Sequence, residues 1–244
     1  MERRLFIKKA GLASASLAIL PTYSFGQEFN YSVQELMGKT EMPMFENGVS
    51  LREEAYSAFL KMKQAAYSSG IDLKVVSSFR SFQSQQRIFE RKYIKYTDEQ
   101  NLSPFKAIDK IIEYSTIPGT SRHHWGTDID VIDGYRTIDG DVLVPEKFEE
   151  GEPYYDFLTW MTENSTSFGY HLVYTKSAKR RGFKYEPWHY SYAPISKPML
   201  ECFRGENIVQ LLQKEQFEGS THFTIGFLKN YIQNNVLDIN PTLI

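Results

Sequence analysis

Apolar positions at residues 51, 55, 59 and 62 recur at a helical interval, so residues 51–69 are predicted as a helix closed by Gly70. The short apolar run at 73–76 reads as a strand that delivers Arg80, and residues 81–93 return to helical spacing through Phe82, Gln85 and Phe89. A helix is expected near 105–114, ahead of the Pro118-Gly119 turn. Residues 128–133 read as a strand with apolar Ile129, Val131 and Ile132. The Gly- and acid-rich stretch 133–153, with its Asp139-Gly140 turn signal, predicts an excursion carrying a short hairpin. Residues 154–168 show helical spacing, with Gly169 closing the helix. A strand starts over 171–174, a basic loop covers 176–181, and residues 183–192 return as extended chain. Two further helices are expected within 208–237, around Gly219, whereas 27–49 reads as irregular, with Pro43 and Gly48 as breakers. Helices mixed with short strands, without any repeat, predict an α+β fold.

The first residues do not belong to that fold. Arg3-Arg4 with Phe6 and Lys8 precede an apolar core from Ala10 to Leu20 that is too short to span a bilayer, and Ser24-Phe25-Gly26 offers small residues for cleavage. Residues 1–26 are therefore predicted to be a twin-arginine-like signal peptide directing export to the periplasm. The expectation is one domain over 27–244, with 205–244 a helical C-terminal extension and no transmembrane segment in the mature chain. Loss of four cationic residues and one glutamate with the leader takes the formal charge from -2 to about -5. That excludes a general polyanion binder and gives no reason to expect nucleic acid as a partner. The single cysteine, Cys202, allows no internal disulfide, so stability is expected to come from packing, and a monomer is the default expectation.

Candidate chemistry is concentrated in Ser121-Arg122-His123-His124-Trp125-Gly126-Thr127-Asp128-Ile129-Asp130 and, about sixty positions later, Glu186-Pro187-Trp188-His189. A zinc ion that performs chemistry takes three ligands from imidazoles and carboxylates and keeps one position open, and His123, Asp130 and His189 are the candidates. An uninterrupted strand would separate His123 from Asp130 by about 23 Å, whereas each ligand must lie about 2 Å from the metal. The chain must turn between them, and Gly126 is the hinge that tolerates positive φ. Asp128 and Asp130 would share one strand face, and spacing alone does not choose between them. Pro187 pushes Glu186 into extended conformation, which rules out a helical Glu-His pair. A bulged or twisted strand would still bring Glu186 beside His189 as a general base.

These residues resemble the LAS-type zinc peptidases, the D-alanyl-D-alanine carboxypeptidases and dipeptidases of the VanY kind, whose pattern is S-x-H-x-x-G-x-x-x-D followed by E-x-W-H. Ser121, His123, Gly126, Asp130, Glu186, Trp188 and His189 fall on it in order. The segment from Ser77 to Gln85 is similar to the family's upstream S-G-Y-R-S-x-x-x-Q, and Pro118-Gly119-Thr120 matches its lead-in. The resemblance covers residues 50–200, roughly, and implies a small antiparallel sheet carrying the zinc site, flanked by helices, in a LAS or hedgehog-like arrangement. It implies one zinc held by His123, Asp130 and His189, with Glu186 as base. It also implies that Arg80 meets the scissile carbonyl or the substrate carboxylate, helped by Gln85 and Ser121. A peptide ending in a free carboxylate independently calls for a planar, bidentate cation. Asp128 departs from the family, many of whose members carry a small residue there.

The implied activity is removal of the C-terminal D-alanine from peptidoglycan stem peptides. The alternatives are an L,D-carboxypeptidase, dipeptidase or cross-link endopeptidase on the same scaffold, or a non-catalytic cell-wall-binding module. His124 is expected to point away from the metal in a structural role, and Trp188 to pack beside its neighbouring ligand. His171 and His222 read as ordinary, and Lys179-Arg180-Arg181 as a solvated loop.

Overall fold

The structure, a computed structural model, describes residues 30–244, so the leader expected over 1–26 lies outside the described residues. Helix α1 (Val33–Leu36) opens on a reciprocal cap: Ser32 Oγ accepts from the Glu35 N–H, and the Glu35 carboxylate accepts from the Ser32 N–H. The Ser-x-x-Glu spacing signals this cap, and it places a helical turn inside the stretch expected to be irregular. Helix α2 (Glu53–Ser68) turns Ala55, Phe59, Met62 and Ala66 inward and ends before Gly70, which takes φ 80°. Strand β1 (Leu73–Ser77), α3 (Phe82–Ile94) and α4 (Pro104–Ile111) follow where periodicity predicts them. Strand β2 (Asp128–Asp133), α5 (Tyr155–Asn164), β3 (Tyr170–Leu172) and β4 (His189–Tyr192) complete the half that bears the catalytic motifs. The chain closes with α6 (Ala193–Gly205), α7 (Ile208–Gln213) and α8 (Ile225–Tyr231).

Two expectations are corrected, and one helix was not expected. The hairpin predicted in 133–153 does not form: among the described residues this stretch has no strand beyond the end of β2. It bends at Asp139-Gly140 and makes a tight turn at Pro145–Phe148 that buries Phe148. Helix α6 lies where no element was expected. Pro194 lies in the first turn, where no backbone donor is needed, and Pro198 is accommodated in the interior. Within the basic loop, Arg180 is not solvated. Its guanidinium donates to the carbonyls of Asp238, Thr175 and Phe183 and lies over the Tyr174 ring.

The four strands form one antiparallel sheet in the order β1-β2-β4-β3. Central β2 is buried along its whole length. Ile129 and Val131 join Phe59 and Met62 of α2 and Phe157 and Met161 of α5 in one apolar cluster. Because side chains alternate along a strand, Asp128 and Asp130 face the opposite way. A second cluster gathers α3, α4, α6, α7 and α8 around Trp125. The C-terminal helices are tied to the motif loop by Tyr231, whose hydroxyl accepts from the Ile117 N–H at 2.9 Å and lies 2.8 Å from Thr120 Oγ1. Among the described residues no helix is long and apolar enough to cross a membrane.

Candidate active site

Sheet register assembles the site. Asp130 on β2 is the direct cross-strand partner of His189 on β4, and Asp128 is the partner of Ser191, so all four side chains emerge on one face. His123 arrives from a tight helical turn, Arg122–Trp125, that Gly126 ends in the left-handed region at φ 66°. A Cβ on Gly126 would also sit 2.6 Å from the Met42 methyl, so glycine is required there for conformation and for space.

His123 Nδ1 lies 2.9 Å from the Ser78 carbonyl, which can only accept. Nδ1 therefore carries the proton and Nε2 turns its lone pair toward Asp130 Oδ2 at 3.3 Å. His189 Nδ1 lies 3.7 Å from Asp130 Oδ1, and the two imidazole centroids are 4.6 Å apart. One donor atom from each of His123, Asp130 and His189 falls within 4.8 Å of the others, all three residues being buried. Of the two carboxylates that spacing could not separate, Asp130 belongs to this group, whereas Asp128 lies behind the ring, 2.9 Å from His189 Nε2.

The donor set fits a zinc ion. Asp130 Oδ1 is buried without a hydrogen-bond partner, which a cation between the imidazoles would supply. Two nitrogens and one carboxylate without thiolate suit a catalytic rather than a structural zinc. Burial pushes the His123 pKa down, which favours the neutral, ligating form. Burial also opposes charge on His189, yet its hydrogen bonds to Asp128 and Glu186 carry its pKa up to about 10. Any metal held there takes the place of that proton.

Glu186 Oε2 lies 3.0 Å from His189 Nδ1. A turn places it there rather than a bulged strand: Pro187 and Trp188 occupy the corner, and the His189 N–H donates to the Glu186 carbonyl at 3.1 Å. Burial raises the Glu186 pKa against the lowering effect of the His189 hydrogen bond.

The cluster opens into a cavity of about 550 Å³, whose walls include Arg80, Lys92, Ser121, Leu143 and Trp188. Arg80 donates from Nη1 to Gln85 Oε1 at 2.9 Å and from Nη2 to Ser77 Oγ at 2.7 Å, and Nη2 is 3.9 Å from Asp130 Oδ2. Gln85 itself is fully buried and absent from the cavity wall. Instead of facing the cavity as a substrate contact, it braces Arg80 and donates to the Thr116 carbonyl at 2.8 Å. Ser121 does line the cavity. His124 turns away, its Nδ1 2.5 Å from the Arg80 carbonyl and its Nε2 accepting from the Gly119 N–H. Trp188 packs against Phe148 with centroids 5.7 Å apart. Arg122 and Lys92 were missed. Arg122 stands inside the motif at an unspecified position, and Lys92 becomes a wall residue only once α3 is folded against the site.

The VanY family, described as D-alanyl-D-alanine carboxypeptidase, matches residues 48–195. A D-alanyl-D-alanine carboxypeptidase of Enterococcus faecalis is 26% identical over 178 residues, which are 72% of this chain and 60% of that protein. The chain thus spans less than two thirds of that relative's length. Two solved structures share the fold. VanYB in complex with D-alanine-D-alanine has a TM-score of 0.52 and 22% identity, over 72% of this chain and 90% of that one. A mutant of the vancomycin-resistance D,D-pentapeptidase VanY in complex with Zn(II) has a TM-score of 0.51 and 24% identity, over 71% and 89%.

Proposed function

Because the chain belongs to the VanY D-alanyl-D-alanine carboxypeptidase family, we propose that it is a zinc carboxypeptidase removing the terminal D-alanine from peptidoglycan stem peptides. The observation that carries this reading is the convergence of His123, Asp130 and His189 on one buried point, with Glu186 3.0 Å from His189 and a cavity in front. The D-alanine-D-alanine held by one fold neighbour and the Zn(II) held by the other support the substrate class and the metal.

His123, Asp130 and His189 would hold the ion. When bound, zinc polarises a carbonyl and lowers the pKa of water to about 7. Glu186 takes the proton from the attacking water and returns it to the leaving amine, its burial strengthening it as a base. Arg80, held as a fork by Gln85 and Ser77, faces the substrate's terminal carboxylate or the oxyanion that develops at the scissile carbonyl. Ser121 hydrogen-bonds the peptide from the cavity wall, and Gln85 acts through Arg80. Residues 27–244 form one peptidase domain, with 205–244 its helical extension. Arg3-Arg4 and the apolar run after them support export to the periplasm.

Defined tri-, tetra- and pentapeptide muropeptides, weighed before and after incubation with and without a chelator, test the reading. The expected result is metal-dependent loss of one alanine from the pentapeptide alone. Trimming of the tetrapeptide with the pentapeptide untouched would instead make the enzyme an L,D-carboxypeptidase, and zinc uptake without any product would leave a binding module.

A further inference from the structure

The most heavily bonded side chain beside the site is one that the motif does not require. Asp128 is completely buried, and each of its oxygens accepts two hydrogen bonds. Oδ1 accepts from Ser191 Oγ at 2.6 Å and Thr127 Oγ1 at 2.8 Å, and Oδ2 accepts from Arg122 Nε at 3.0 Å. The fourth partner is His189 Nε2, 2.9 Å from Oδ2. A carboxylate ion-paired to a guanidinium only accepts, so the proton in this last contact belongs to Nε2. The opposite ring atom, Nδ1, is the one that faces Asp130 and Glu186. Arg122 is equally enclosed. It donates from Nη2 to Ser191 Oγ at 2.6 Å and lies 4.7 Å over the Trp125 ring, so the pair brings no net charge beneath the metal site.

We propose that Asp128 is a positioning residue of the metal centre: it fixes the His189 ring so that Nδ1 is the atom offered to the ion, with Arg122 and Ser191 holding Asp128 in turn. The inference rests on the reading of His189 as a ligand. An outer carboxylate on a ligating imidazole locks its tautomer and orientation, and removing such a partner costs about 10–100-fold in metal affinity.

Single removal of Asp128 would strand the Arg122 charge in the interior. The test variant is therefore the double substitution Arg122→Met with Asp128→Ala, its folding checked by circular dichroism and thermal melting. Zinc affinity is read by competition with a chromophoric chelator, and the native protein is also followed by long-range proton–nitrogen NMR of His189 with zinc bound. The expected results are zinc binding weakened about 10–100-fold in the folded variant, and a native His189 with a slowly exchanging Nε2–H and metal at Nδ1. A purely structural role would lower the melting temperature and leave the affinity unchanged. Equal affinities, or a native His189 protonated at Nδ1, would overturn the role of Asp128 and leave the metal site standing. A native protein that takes up no zinc would overturn the site reading and this proposal with it. Should the double variant fail to fold, the NMR result on the native protein alone decides.

Discussion

Glu186 and His189 are joined twice: by a backbone hydrogen bond across the Pro187-Trp188 corner and by a 3.0 Å contact between Oε2 and Nδ1. The corner keeps the carboxylate beside the cluster of His123, Asp130 and His189 without making it one of the three grouped residues. Glu186→Ala is therefore expected to retain one zinc per chain while kcat falls by about 10²–10⁴. Zinc content by atomic absorption and alanine release from a pentapeptide measure the two separately. Native turnover in the variant would remove Glu186 from the mechanism.

Arg80 is held at two nitrogens, by Gln85 and Ser77, and presents the rest of its fork to the cavity. Lysine keeps the charge and loses the fork, so Arg80→Lys is expected to lower kcat/KM by about 10²-fold. A rise in KM alone marks a carboxylate anchor, and a fall in kcat alone marks oxyanion stabilisation. Gln85→Leu should reproduce part of the same defect, since it removes the brace while leaving Arg80 in place. An unchanged kcat/KM in both variants would exclude this role.

Local pattern and motif order made much of this site readable. The Gly126 hinge, the Asp128–Asp133 strand and the turned-away His124 all follow from the need to bring His123 back toward Asp130. Strand registration was out of reach, because the pairing of Asp130 with His189 depends on a partner about sixty positions away. For that reason spacing alone does not separate Asp128 from Asp130, and only the family pattern singles out Asp130. The motif position of Gln85 points only to assistance, and it is burial and the 2.9 Å contact that show the side chain bracing Arg80. The Arg122–Asp128 pair was equally out of reach, because it depends on the turn that brings Arg122 back against β2.

His124 makes stability depend on pH in a predictable direction. Its ring spans the Arg80 carbonyl and the Gly119 N–H, an arrangement only the neutral form satisfies, and burial lowers its pKa to about 3. In the unfolded chain the same group takes up a proton near pH 6.5. As pH falls below 6.5 the unfolded state binds more protons than the folded one, so stability present above that pH drains away by about 1.4 kcal/mol per unit until about pH 3. Glutamine can donate and accept at the same two points without titrating. Urea unfolding of native and His124→Gln protein between pH 6.5 and 4.5 should therefore give diverging stabilities, with the native falling more steeply by about one proton's worth. Parallel curves would show that His124 is not the titrating group.

Tyr231 tests whether the C-terminal helices belong to the catalytic unit. Its buried hydroxyl accepts from the Ile117 N–H and contacts Thr120, directly before the segment that carries Ser121 and His123. Around it, Leu228, Val236 and Leu243 are buried in the same cluster as Trp125 of the motif turn. Tyr231→Phe removes one oxygen and leaves a buried donor unpaired, which should cost about 1–3 kcal/mol. For a domain of this size each kcal/mol corresponds to a loss of about 2–4 °C in Tm. Truncation after Gly205 should be far worse, since it strips the apolar residues of α7 and α8 from that cluster, and no cooperative melt is expected. A truncated protein that melts cooperatively and still trims pentapeptide would make residues 205–244 a separable appendage. A Tyr231→Phe variant with native Tm and kcat/KM would show that the Ile117 loop is held by other contacts.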